Sequence, residues 1–197
     1  MQPQQLKICT PSELEQIVKL HLSTLKESTL NQLGKKFLAI VYKTIIADSQ
    51  SIFLVLRNEG KIIGFLAATQ NSAYFYKNIV RQNFLQLTLE VTRQTLKNPS
   101  LFFKIINWLL FKKNHPEYPA ELQFIAVSEK YQGQGLGTKL IKALNSHFKG
   151  KNVSHYKVGT WASNQNSNGF YQHLGFQKLY QENILGILFN FYLSPKL

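Results

Sequence analysis

The order strand, glycine run, helix across residues 121–148 constrains this chain more than any other feature of its sequence. Glu121–Val127 (ELQFIAV) reads as an apolar strand. Gln132-Gly133-Gln134-Gly135-Leu136-Gly137 follows as a turn, and Leu136, Leu140, Ile141, Leu144 and Phe148 then share one helical face. Such a unit places the chain among the α/β or α+β folds. It also makes an anion site. Glycines let backbone N–H groups approach a ligand closely, and the helix N-terminus adds partial positive charge. A phosphate or pyrophosphate is the natural occupant; the alternative is a helix start that uses its glycines for close packing.

Three phosphate loops compete for this segment. A Walker loop ends in Lys followed by Ser or Thr, and here the order is Thr138-Lys139, reversed and badly spaced. A dinucleotide fingerprint needs an acidic residue ~20 residues on, and residues 150–160 (GKNVSHYKVGT) contain none. The third pattern, Gln/Arg-x-x-Gly-x-Gly/Ala, is an acyl-CoA loop, and Gln132, Gly135 and Gly137 match it directly.

The remaining chain reads as short alternating elements. Residues 5–9 form a first strand. Ser12 and Glu15 make a capping box at the start of a helix carrying Leu14, Ile17, Val18, Leu22 and Leu25. A second helix runs through Phe37, Leu38, Val41, Ile45 and Ile46. Residues 51–57 and Lys61–Thr69 make a hairpin around Asn58-Glu59-Gly60. Residues 71–119 hold two stretches of helical periodicity separated by Pro99. Residues 156–161 read as a strand, 164–174 as a short helix, and 184–193 as a last strand or strand pair. The expectation is one domain over residues 1–197, with 71–119 as a helical insertion.

Composition narrows the partners. Lys and Arg number 23 against 10 Asp and Glu, a formal charge of +13, and Asp48 is the one aspartate. This charge favours anionic partners. The basic residues are spread evenly, though, and the longest basic runs are the pairs Lys35-Lys36 and Lys112-Lys113. A dedicated nucleic-acid patch is therefore not expected. Cys9 is the sole cysteine, which excludes a disulfide scaffold. No apolar run reaches the ~18–20 residues of a membrane span, and the first residues lack a signal-peptide pattern. The expected location is cytoplasmic. No His/Cys/Asp cluster has metal-ligand spacing, so no metal is expected.

A second motif meets the glycine loop. Asn164 to Phe176 reads NQNSNGFYQHLGF. This resembles the Asn-x-x-Ala/Gly-x-x-Phe/Tyr-Tyr-x-x-Leu-Gly-Phe segment of the GNAT acetyltransferase family, and the two motifs stand in that family's order and at its typical separation. The resemblance implies a mixed, twisted sheet of about seven strands with flanking helices, the helical insertion lying between the third and fourth strands. It further implies that the fourth and fifth strands splay apart and that acetyl-CoA lies in the wedge. Pantetheine would pair with the backbone of Ile125, Ala126 and Val127. Pyrophosphate would sit on the N–H groups of Gln132, Gly133, Gln134, Gly135, Leu136, Gly137 and Thr138. Asn164 would contact the cofactor arm. Gln132 and Gln134 depart from the family's usual form, occupying positions that are often basic, and so does the length of the 71–119 insertion.

The family's chemistry, direct attack of an amine on the thioester in a ternary complex, needs a deprotonated amine and a proton near the leaving sulfur. Tyr171 is the candidate general acid and a cofactor contact, since it matches the family tyrosine that points its hydroxyl at the CoA sulfur, with a packing role as the alternative. Glu121 is the candidate base at the start of the strand beside the pantetheine, with an exposed strand-end glutamate as the alternative. Water relayed through backbone carbonyls would also serve. Strand alternation puts Glu121, Gln123 and Ile125 on one face, so Gln123 is a candidate acceptor contact. Trp161 is another, with a core role as the alternative. The Val127 N–H would polarise the carbonyl. His147 and His155 are further base candidates with structural or exposed roles more in keeping with their positions, and His173 is expected to face solvent.

The acceptor is expected to be a small amine. An anionic one, such as a nucleotide-linked amino sugar, would use Tyr74, Phe75, Tyr76 and the cations of the insertion. Alternatives are a protein or peptide amine, a non-catalytic CoA-binding module, or a basic nucleic-acid-binding module. The run from Leu101 to Lys113 (LFFKIINWLLFKK) packs on the core in the preferred reading, with a peripheral lipid contact or a homodimer interface as alternatives.

Overall fold

The computed structural model describes residues 1–26, 28–100, 117–184 and 186–197. The elements are β1 (Gln4–Gln5), α1 (Pro11–Thr24), a 3-10 turn (Thr29–Leu33), α2 (Gly34–Ala47), β2 (Ser51–Asn58), β3 (Lys61–Thr69) and α3 (Ser72–Lys97). After them come β4 (Glu121–Val127), a 3-10 turn (Glu129–Tyr131), α4 (Leu136–Lys149), β5 (Lys157–Trp161), α5 (Gln165–His173), β6 (Gln177–Ile184) and β7 (Ile187–Leu193). The strands form one seven-stranded sheet in the order β1-β2-β3-β4-β5-β7-β6. All neighbours are antiparallel except β4 and β5.

Strands β2 and β3 are buried on both faces of the sheet. Phe53, Val55 and Phe65 pack with Ile17, Leu38, Tyr42 and Ile45 of α1 and α2. Leu54 and Leu56 pack with Leu140, Leu144 and Phe148 of α4. Period-2 alternation along β2 thus feeds two cores. It explains why residues 52–56 are apolar throughout, a pattern that marks a strand with helices on either side.

Several local expectations shift. The capping box of α1 is Thr10 with Glu13, not Ser12 with Glu15. Pro11 has no N–H to satisfy and takes the first helical position, so the cap falls on the residue before it. Glu15 instead pairs with Lys19 at 2.8 Å. The first strand is Gln4–Gln5 rather than residues 5–9; one further bond, Leu6 N–H to Phe53 O at 2.8 Å, follows it, and Ile8 is exposed. The hairpin strand β6 was not expected. Its polar sequence QKLYQENI leaves one face open at the edge of the sheet and hides the alternation.

In the insertion, α3 is kinked at the non-helical residue Asn83 and continues through Phe84, Leu87 and Val91. Asn83 Nδ2 donates to Ile79 O at 3.0 Å and Thr44 Oγ1 at 2.8 Å, which fixes the bend against α2. The second expected helix, from Leu101 onward, lies outside the described residues. No described helix is long and apolar enough to cross a membrane.

Candidate active site

β4 is paired on both edges where it begins and on one edge where it ends. Its parallel pairing with β5 consists of Glu121↔Lys157 and Leu122↔Val158, while its pairing with β3 extends to Val127. β5 continues against β7, as far as Trp161↔Phe189. Among the described residues, the β5-side edge of β4 from Gln123 onward has no ladder partner. Ile125, Ala126 and Val127 lie along this open edge, which offers backbone donors and acceptors to an extended ligand. Gln132 Nε2 donates to Val127 O at 2.9 Å, tying the start of the glycine loop to the end of the strand.

A bulge reorients the strand. Ala67 faces Phe124 and Ala68 faces Leu122, which leaves Gln123 as the extra residue. Leu122 therefore joins the α4-side core and Phe124 packs on the α1–α2 side, although unbroken alternation would keep them together. The expected common face of Glu121, Gln123 and Ile125 is accordingly split. Ile125 packs with the α4-side core, whereas Gln123 Oε1 accepts a hydrogen bond from Tyr76 of α3 at 2.8 Å.

The loop after β4 has the backbone that an anion cradle needs. Gly133 and Gly135 have φ of 75° and 71°, and a Cβ at either meets nothing within 4 Å. Backbone conformation rather than crowding calls for glycine there. Gly135 is the N-cap of α4, and no side chain caps that helix. Gln134 is exposed, Thr138 is half-buried, and Leu136 belongs to the core. Gly137 has a different reason: a Cβ would come within 3.2 Å of Phe170 Cζ.

Helix α5 brings two motif residues to the same cleft. Asn164 caps it, its Oδ1 accepting from Ser167 N–H at 2.9 Å. Tyr171 follows two turns later on the same face. Its ring packs among Phe170, Phe176 and Tyr192, and it is 4% exposed. Among the described residues its hydroxyl makes no hydrogen bond. Burial holds the phenol well above its ordinary range, so it keeps its proton.

Glu121 stands at the root of the splay. Lys157 Nζ lies 3.8 Å from its Oε2, with both side chains largely buried. Burial first, then the Glu121 charge, raises the phenol of Tyr76; burial, then Glu121, Glu182 and Glu117, raises that of Tyr180. Glu121, Gln123, Ile125, Trp161, Asn164 and Tyr171 line one cleft of about 1070 Å³. Trp161 is half-buried on its wall, edge-on to Phe189 at 6.2 Å. His147, His155 and His173 stand outside it, and His155 Nδ1 sits 3.0 Å from Ser194 O.

The model of the acetyltransferase (GNAT) family matches residues 16–176. The chain belongs to the GNAT family. Solved structures with the same fold agree. An aminoglycoside 6'-acetyltransferase type Ii is 13% identical with a TM-score of 0.64, covering 99% of this chain and 97% of that one. The ribosomal-protein-S18-alanine N-acetyltransferase of Escherichia coli is 15% identical with a TM-score of 0.56, covering 98% and 94%. An acetyltransferase of Thermus thermophilus is 14% identical with a TM-score of 0.62, covering 99% and 97%. At these identities the likeness is one of fold. No curated protein sequence matches the chain.

In this GNAT chain two buried polar residues carry positions that the motif reading had not singled out. Asn168 Nδ2 donates to Trp161 O at 2.8 Å and Asn164 O at 2.6 Å, while its Oδ1 accepts from Asn190 Nδ2 and Tyr192 OH, each at 2.7 Å. It fastens α5, and hence Tyr171, to β5 and β7. The signal was in the sequence as an asparagine inside the tyrosine motif. His21, fully buried in α1, meets Tyr42 OH through Nδ1 at 2.5 Å. Nothing in its sequence surroundings marks it, because its partners come from α2 and β4.

Proposed function

We propose that the protein transfers an acetyl group from acetyl-CoA to a primary amine of an acceptor, by direct attack in a ternary complex. The observation that carries this reading is the coincidence of an unpaired β4 edge, an uncapped helix N-terminus behind two left-handed glycines, and Glu121 and Tyr171 on one cleft. These features fit CoA: strand-edge groups of Ile125, Ala126 and Val127 for the pantetheine amides, N–H groups of Gln132–Thr138 for the pyrophosphate, and Asn164 beside the arm. The bound thioester supplies an acyl carbon open to an amine and a sulfur able to leave.

The chain's own residues supply the rest. Glu121 takes the proton of the acceptor ammonium, directly or through one water, because an alkylammonium is mostly protonated near neutrality. Tyr171 holds its proton and donates a hydrogen bond from Oη toward the leaving sulfur. Its raised affinity for that proton favours donation without full transfer, since a thiol ionises near pH 8.5. The Val127 N–H, on the open edge of β4, would polarise the thioester carbonyl. Release of free thiol from acetyl-CoA in the presence of a panel of primary amines tests the reading; no release with any amine contradicts it.

A nucleotide-linked amino sugar would need cations on the acceptor wall. Among the described residues the cleft-lining cations are Lys26 and Lys157. Lys26 is paired with Glu129 at 2.9 Å and Lys157 lies beside Glu121. Lys77, Arg81, Arg93 and Lys97 of α3 are exposed and do not line the cleft. The lining does not favour the anionic acceptor. Protein and small-molecule amines both occur as named acceptors among the similar folds.

A further inference from the structure

We infer that the acceptor is a primary amine carried on an extended apolar body, which lies in the trough between α2 and α3 while its nitrogen reaches Glu121. The inference rests on the acetyl-transfer reading and names the substrate class of that site.

The cleft does not end at the splay. It continues past Gln123, where Phe37 and Val41 of α2 face Ile79, Leu87 and Val91 of α3. Ile79 lies before the bend at Asn83, and Leu87 and Val91, four residues apart, share one helical face beyond it. The thioester arm is assigned to the β4 edge, so this space is left for the other substrate. Burying an alkyl or aryl body there releases its apolar surface from water. Among the described residues the cleft-lining cations, Lys26 and Lys157, already face Glu129 and Glu121, so a polyanion would be buried there at a large cost.

Charge at the inner end complements an ammonium. Glu121 and Glu182 both line the cleft. Arriving as a cation, the amine meets carboxylates before one of them removes its proton. One more group marks this junction. Gln123 Oε1 is held by Tyr76, which fixes the amide, and Gln123 Nε2 is buried with no hydrogen-bond partner among the described residues. A buried unpaired donor is costly. It is satisfied by one oxygen on the substrate near its nitrogen, so an amine with a neighbouring hydroxyl or carbonyl gains over the bare alkylamine.

The test is steady-state thiol release with linear primary amines from propyl to heptyl, alongside a nucleotide-linked amino sugar and a short lysine peptide. The expected result is a fall in KM of about fourfold per methylene, at nearly constant kcat, until the trough is filled. Calorimetry with heptylamine and propylamine, without acetyl-CoA, gives the same order of affinity, and Val91→Asp removes the chain-length dependence of binding. A KM and a binding constant indifferent to chain length, or preferred turnover of the amino sugar or the peptide, overturns the inference. Chain-length-dependent binding with no thiol release from any amine instead leaves the pocket assignment standing and contradicts the transfer reading.

Discussion

Lys157 and Glu121 are register partners in the parallel β4–β5 pair, and the Lys157 ammonium lies 3.8 Å from the Glu121 carboxylate, one residue pair before the strands part. The pair therefore stands at the root of the splay and on the wall of the cleft at once. Tyr76 of α3, Tyr180 and Glu182 of β6, and Glu117 ahead of β4 are further ionisable groups of this neighbourhood.

Replacing Lys157 tests whether its charge serves the base. A cation beside a carboxylate favours the ionised form. In Lys157→Met the acid limb of kcat/KM moves to higher pH, because Glu121 protonates more readily. Lys157→Arg restores the limb. A merely structural lysine would lower stability in the methionine variant and leave the limb in place, which pH–rate profiles of the three proteins distinguish.

Asn168→Ala removes hydrogen bonds that join α5 to β5 and β7. The expected loss is about 2–4 kcal/mol of stability, since buried partners are left unsatisfied. Because Tyr171 sits one turn away on the same helix, kcat falls with it even under conditions where the variant is fully folded. Urea denaturation and turnover at low temperature measure the two effects separately.

Acid weakens the fold through His21. Burial holds its imidazole down to about 4 against an ordinary value of 6.5. The native state thus stays neutral while the unfolded chain takes up a proton. Stability contributed this way is complete above pH 6.5 and is lost progressively as pH falls toward 4. By pH 5 the loss, relative to neutral pH, is about 2 kcal/mol. Denaturation series at several pH values should show this slope in the wild type and a shallower one in His21→Gln; equal slopes would count against it.

Much of this was legible before any coordinates. The two motifs fixed the family, and the strand, loop and helix bounds around them differ little from what periodicity and glycine placement imply. What escaped were features set by tertiary contact. The bulge at Gln123 depends on α3 and β3, and no local pattern in ELQFIAV announces it. Edge strand β6 is polar because half of it faces water. The anionic acceptor was read from the cations of the insertion, but sequence does not say which face of α3 they occupy. Lys77, Arg81, Arg93 and Lys97 are exposed, and from α3 the cleft receives Ile79, Leu87 and Val91.

The most direct test of the central claim is thiol release from acetyl-CoA by wild type, Tyr171→Phe and Glu121→Gln, with heptylamine as acceptor and acetyl-CoA binding measured alongside by calorimetry. The account predicts unchanged binding in all three, a loss in kcat of about tenfold to a hundredfold in Tyr171→Phe, and in Glu121→Gln a similar loss together with disappearance of the acid limb. Wild-type rates in both variants, with binding intact, would contradict it.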